Sequence, residues 1–148
     1  MKTVLAAVLF LATAITAVSG AESRMIEYYV QLIRGVDGQN APVVTAKLVG
    51  IKLSKRFHSV LAWDSYWEIN RQKIIVETGR KTRITLSKER DVEIDLSQPG
   101  QRIVTAYERG KAISRITRPI GEGMTITGGD HDARSAWFIV VRRDRPQE

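Results

Sequence analysis

The sequence contains no cysteine. That excludes a disulfide scaffold, a thiolate metal site, a cysteine nucleophile and a lipidated N-terminal cysteine. Proline is scarce, at four residues, and no proline-rich, repetitive or low-complexity tract marks a linker. Only two histidines, His58 and His131, are available for imidazole chemistry. Beyond the first 21 residues no apolar run approaches the length of about 20 residues that a membrane-spanning helix needs. No phosphate-binding loop is present: Gly121-Glu122-Gly123 lacks the Lys-Ser/Thr ending of such a loop and reads as a turn. No motif implies a cofactor.

What is present is an ordinary globular composition. Of 148 residues, 43% are hydrophobic and 26% charged, which argues for one folded domain rather than disorder. The 23 Lys+Arg outnumber the 16 Asp+Glu, for a formal net charge of +7. Lys2 is followed by an apolar run, Val4 to Val18, and then by the small residues Ser19, Gly20 and Ala21. This is the pattern of a secretory signal peptide. The expected division is a signal peptide at 1–21 and a single β-rich domain at 22–148, with cleavage after Ser19 as the nearby variant and an uncleaved anchor as the alternative. Export without cysteine points to a bacterial envelope or secreted protein, periplasmic or extracellular.

Local patterns after residue 22 are mostly those of strands. Ile26–Arg34, Ala62–Asn70, Lys73–Glu77, Thr82–Leu86, Asp91–Leu96, Arg102–Glu108, Ala112–Thr117, Met124–Thr127 and Ala136–Val141 are the predicted strands. Gly79-Arg80 and Gly110 read as hairpin turns, and Pro99-Gly100 as a type II turn. Leu53, Phe57, Val60 and Leu61 share a helical face opposite Lys52, Lys55 and Arg56, so a short helix is expected near 51–59. The run from Ala136 to Val141 suits a central strand covered on both faces. Eight or nine short antiparallel strands with one helix predict an all-β sandwich, with a small barrel as the alternative. Val92 and Ile94 are expected inside. Pairing Leu86 with Val92 and Ile84 with Ile94 would place Arg83 opposite Asp95 and Thr85 opposite Glu93, making those charges structural.

Several residue groups could carry chemistry. Trp63, Tyr66 and Trp67 form an aromatic group, with alternation sending Trp63 and Trp67 to one face and Tyr66 to the other. Exposed, these rings could stack on sugars; buried, they are core. Arg142, Arg143 and Arg145 cluster near the C-terminus, and Arg115 and Arg118 lie near a strand end. Such guanidinium groups suit carboxylates or phosphates, or form a solvated basic surface. Asp130, His131 and Asp132 after Gly128-Gly129 are metal-ligand types. Three adjacent residues rarely converge on one ion, so a polar loop joining the last two strands is the plainer reading. His58 could be drawn with Ser59 or Ser65 and Asp64 as a triad, although no nucleophile-elbow pattern is present. Glu93 and Asp95 have a spacing compatible with glycoside hydrolysis but read as surface charges.

These readings favour an exported, non-enzymatic binding or accessory β-sandwich of the bacterial envelope, acting through protein–protein contacts. Its partner would be an envelope protein or an anionic or glycan polymer rather than nucleic acid. A carbohydrate-binding module on the aromatic face and a small histidine-based hydrolase are the alternatives.

Overall fold

The computed structural model describes residue 20 and residues 22–147, so the predicted signal peptide lies, apart from Gly20, outside the described residues. In chain order the elements are β1 (Met25–Val36), β2 (Lys47–Leu48), α1 (Ile51–His58), β3 (Ser65–Glu77), β4 (Lys81–Thr85), β5 (Arg90–Asp95), β6 (Gln101–Glu108), β7 (Lys111–Pro119), β8 (Thr125–Asp132) and β9 (Ser135–Arg142). They form two open antiparallel sheets. One has the order β2-β3-β1-β9-β8 and the other β4-β5-β6-β7. The protein is a β-sandwich, and the barrel alternative is set aside because neither sheet closes.

Alternation along the strands decides what fills the sandwich. Tyr28, Val30 and Leu32 of β1 meet Trp137, Ile139 and Val141 of β9 on one side of the core. Val92, Ile94, Val104 and Ala106 of β5 and β6 face them from the other. A second apolar cluster lies on the outer face of the larger sheet. There Ile33, Tyr66, Phe138 and Val140 are covered by Leu53 and Phe57 of α1. All eight residues of β9 are therefore buried, as its continuous apolar run predicts. The i, i+4 pair Leu53 and Phe57 is what commits α1 to this face; burying a side chain such as Phe57 contributes about 1.5–3 kcal/mol. Gly50 offers no side-chain cap, while Lys55, Arg56 and His58 in the last turn suit the negative end of the helix dipole. The predicted apolar stripe stops earlier than expected: the helix ends at His58, Val60 is exposed and Leu61 only half-buried.

The structure corrects four local expectations. The two strands predicted at Ala62–Asn70 and Lys73–Glu77 are one continuous strand, β3, paired along its length with β1. Only two residues of β2 flank it on the other side, so its middle stays half-exposed and tolerates Asn70, Arg71 and Gln72. The turn at Gly79-Arg80 exists, with Gly79 at φ 85°, but it is not a hairpin. It carries the chain from β3 in one sheet to β4 in the other. In the β4–β5 hairpin Ile84 faces Val92 and Thr82 faces Ile94, a slip of two residues from the predicted register. Val92 and Ile94 are fully buried as expected, because a slip of two keeps every side chain on its face. The turn sets the true register: Leu86 N–H donates to Arg90 O at 2.8 Å, and Ser87 Oγ accepts from Arg90 N–H at 3.1 Å. Arg83 accordingly sits opposite Glu93 and bridges to Asp91 at 2.7 Å. Lastly, Gly128 and Gly129 do not end a short strand. β8 runs through them to Asp132, and the turn to β9 is Ala133-Arg134.

The remaining turns agree with expectation. Gly100 at φ 71° occupies the third position of a turn closed by Gln101 N–H to Gln98 O at 3.1 Å. Arg109 and Gly110 both have positive φ, which is the requirement of a two-residue hairpin between β6 and β7.

Candidate functional site

The inward face of the smaller sheet ends in arginine at both extremes. Arg90 stands in phase with Val92 and Ile94 along β5 and with Leu96 just beyond it, and Arg102 in phase with Val104 and Ala106 along β6. Arg102 is fully buried. It donates to Glu122 O at 3.1 Å, Gly123 O at 3.3 Å and Thr125 Oγ1 at 2.8 Å, and its guanidinium carbon lies 5.4 Å from the centre of the Tyr28 ring. It ties the segment before β8 to the smaller sheet through both terminal nitrogens, while its Nε has no partner.

Arg90 is different. Its guanidinium carbon sits 3.8 Å from the centre of the Trp137 ring, a cation–π arrangement, and Nη2 bridges to Glu108 at 2.9 Å. The residue is 5% exposed, yet Nη1 has no hydrogen-bond partner. Burial is the largest influence lowering its pKa from the ordinary arginine value; Glu108 and Glu89 act against that, and the like charge of Arg34 adds to it. It stays charged at neutral pH all the same.

Arg90 lines a hollow of about 260 Å³ at the open end of the sandwich. Arg34 from β1, Ser87 from the β4–β5 turn, and His131 and Asp132 from β8 contribute to its wall. Arg34 Nη1 donates to Ser135 Oγ at 3.3 Å. Asp132 is held ionised chiefly by the Arg134 backbone N–H, which donates to its carboxylate at 2.8 Å. Leu32, Ile33, Pro42, Val43, Ile69 and Trp137 supply an apolar wall. The cleft is thus part cationic and part greasy.

The predicted site residues fall elsewhere, with the partial exception of the β8 cluster. Tyr66 is fully buried, with its ring stacked on Phe57 at 4.8 Å, so it belongs to the core and to no binding face. Trp63 precedes β3 instead of lying on it, and it packs against the same outer cluster as Tyr66. Trp67 is half-buried and donates to Ser65 Oγ at 2.9 Å. Trp63 and Trp67 therefore do not share a face, and the three rings build no continuous stacking platform. Arg142 is buried and paired with Asp144, a structural ion pair on the outer face of the larger sheet beside α1. Arg143 and Arg145 are exposed beyond it. Arg115 and Arg118 are exposed on β7, in the other sheet from β9.

His131 and Asp132 do meet, with Nε2 and Oδ2 at 3.9 Å, but no group of three metal-ligating side chains converges among the described residues. His58, Asp64 and Ser65 line one surface hollow of about 400 Å³. The hydroxyl and the carboxylate are already engaged with the loop after β1: Ser65 Oγ donates to Gly38 O at 2.6 Å, and Asp64 accepts from Gly38 N–H at 2.7 Å. Ser59 donates to Arg56 O at 2.7 Å. His58 instead meets the Tyr66 ring edge-on at 4.9 Å. The triad drawn from sequence is not assembled. Glu93 and Asp95 are tied to Lys81 and to Ser97 N–H respectively, consistent with surface charges that stabilise the hairpin.

Comparisons against family models, curated proteins and solved structures returned no match. No helix among the described residues is long and apolar enough to cross a membrane.

Proposed function

We propose that this chain is an exported, non-enzymatic binding protein of the bacterial envelope that docks an acidic protein partner along β7. The observation that carries the reading is the edge itself. β7 is a nine-residue edge strand with exposed residues along most of its length, touched by the larger sheet where Thr127 Oγ1 donates to Ser114 Oγ at 2.7 Å. No main-chain hydrogen bond reaches Lys111–Arg118 from outside the smaller sheet among the described residues. An open row of N–H and C=O groups is a template for strand addition by an extended segment. Ile113, the extra residue at the β6–β7 bulge, is 43% exposed and offers an apolar contact. Lys111 and Arg115 have no ion-pair partner among the described residues, and Arg118 has only the loose contact with Glu122 at 3.9 Å. An acidic strand would satisfy both the backbone row and these cations. The leader pattern at 1–21 supports export.

Two outcomes test this. The chain expressed with its first 21 residues in a bacterial host should be recovered outside the cytoplasm with Glu22 at its N-terminus; recovery in the cytoplasm with Met1 intact would remove the envelope from the reading. The recovered protein should co-sediment saturably with an envelope fraction, and prior protease treatment of that fraction should abolish the binding. The double substitution Lys111→Glu with Arg115→Glu should weaken binding at least about tenfold with little change in stability, since both residues are exposed. Equal binding by the double variant would overturn the β7 assignment, and binding that survives the protease would replace the protein partner with a polymer.

A further inference from the structure

The cleft at the open end of the sandwich is separate from β7, and its chemistry is of another kind. The geometry points to a binding site for one carboxylate attached to an apolar body, held by Arg90 and Arg34 against Trp137.

Arg90 carries the argument. A buried guanidinium nitrogen normally has a hydrogen-bond acceptor, because a buried, unpaired polar group is costly. Here Nη2 is satisfied by Glu108 and one face by Trp137, while Nη1 has no partner. Arg34 lines the same hollow and its like charge bears on Arg90, in part offset by Glu108 and Glu89. A carboxylate would supply Nη1 with the missing acceptor and meet Arg34 from the other side with charge-assisted bonds. Ser87 adds a donor: its oxygen already accepts from Glu89 N–H at 3.3 Å and Arg90 N–H at 3.1 Å, which leaves the hydroxyl proton free to be given away.

Charge and size narrow the ligand. Asp132 on the rim and Glu108 behind Arg90 are both negative. Both repel any anion, and a phosphate dianion twice as strongly as a single carboxylate, so the smaller charge is the better match to Arg34 and Arg90. The apolar wall of Leu32, Val43, Ile69 and Trp137 has nothing to offer a polar body and suits an alkyl or side-chain group. At about 260 Å³ the hollow admits a short acid or the last residue or two of a chain, not a polymer. A free apolar acid and the C-terminus of a peptide share this chemistry.

Two probes distinguish the sources: hexanoate, and a short peptide ending in leucine with its C-terminal amide as control. Inorganic phosphate serves as the anion control. Binding is followed through the Trp137 indole N–H resonance, assigned with a Trp137→Phe variant. Hexanoate or the free peptide should shift that resonance saturably below roughly 10 mM, while phosphate and the amide should not. Tighter binding of the peptide would assign the site to a chain terminus, and equal or tighter binding of hexanoate to a free acid. Arg34→Gln, a half-buried change that leaves Arg90 and its Glu108 bridge in place, should weaken either ligand at least about fivefold. Ser87→Ala should weaken it by about two- to fivefold. No saturable shift with either probe would overturn the inference, as would unchanged affinity in Arg34→Gln or equal binding of phosphate. Because β7 lies outside the cleft, none of these results depends on the partner docked there.

Discussion

Replacing Arg102 with leucine should lower the stability of the protein by about 3–5 kcal/mol, the range seen when a buried charged group is removed from its partners. The substitution removes three donor–acceptor contacts at once, leaving the buried hydroxyl of Thr125 without its donor and the carbonyls of the exposed residues Glu122 and Gly123 without theirs. Each stranded acceptor costs about 1–3 kcal/mol if water cannot reach it. The guanidinium has no carboxylate partner among the described residues, so its charge is balanced by carbonyl dipoles and by the Tyr28 ring face rather than by an ion pair. Leucine relieves the buried charge, which offsets part of the loss. Arg102→Lys keeps the charge but has no planar fork to span three acceptors, and should lose about 2 kcal/mol. Urea denaturation of the two variants measures both figures. A leucine variant within about 1 kcal/mol of the parent would mean that the carbonyl contacts contribute nothing net. The lysine variant keeps the test readable if leucine prevents folding.

The two buried arginines also show where reading the sequence stops short. The alternation Val92, Ile94, Leu96 is enough to place β5 with one face inside, and the structure agrees. Extending the same alternation back by one step reaches Arg90, and the corresponding step from Val104 reaches Arg102. Period two was the available signal for both, but arginine is so seldom buried that composition argues against following it. The register of the β4–β5 hairpin was out of reach for a related reason. Alternation distinguishes odd slips from even ones and is blind to a slip of two, and only the turn geometry at Leu86–Arg90 separates them. The central place of β9 was legible because six consecutive apolar residues leave no polar face to expose. The end cleft was not, because Arg34, Ser87, Arg90, His131 and Trp137 come from four stretches of chain with no shared motif. His131 and Asp132 of the cluster after Gly128-Gly129 do reach that wall, carried there by β8 instead of a loop. The aromatic group misled through local adjacency: Trp63 lies outside β3, so strand alternation did not govern its direction.

Gly128 and Gly129 are adjacent and alike in sequence, and they should respond oppositely to the same substitution. Gly128 faces Phe138 across the β8–β9 ladder, and a Cβ there would stand 2.4 Å from both Phe138 Cδ1 and the backbone oxygen of Trp137. A side chain could turn away, but the carbonyl belongs to the central strand and is held by its own ladder. Relief would require β8 to move off β9, opening the outer cluster around Phe138. Overpacking ordinarily costs about 1–3 kcal/mol, and a clash with fixed backbone belongs at or above the top of that range. Gly128→Ala should therefore cost about 3 kcal/mol or more, lowering Tm by roughly 10 °C in a domain of this size. At Gly129 the nearest atoms to a new Cβ are those of the Trp137 indole at 3.8 Å, an ordinary contact. Neither glycine has the positive φ that would penalise alanine on its own. Gly129→Ala should thus stay within about 1 kcal/mol of the parent and can gain slightly by restricting the unfolded chain. Thermal denaturation of the pair separates two accounts of the Gly-Gly step. A flexible loop between the last strands would tolerate both alanines equally, and equal Tm values would sink the packing account. A large loss at 128 with none at 129 would mean that the first glycine is there to let Phe138 and the β9 backbone approach, which is what holds the outer face of the larger sheet under α1.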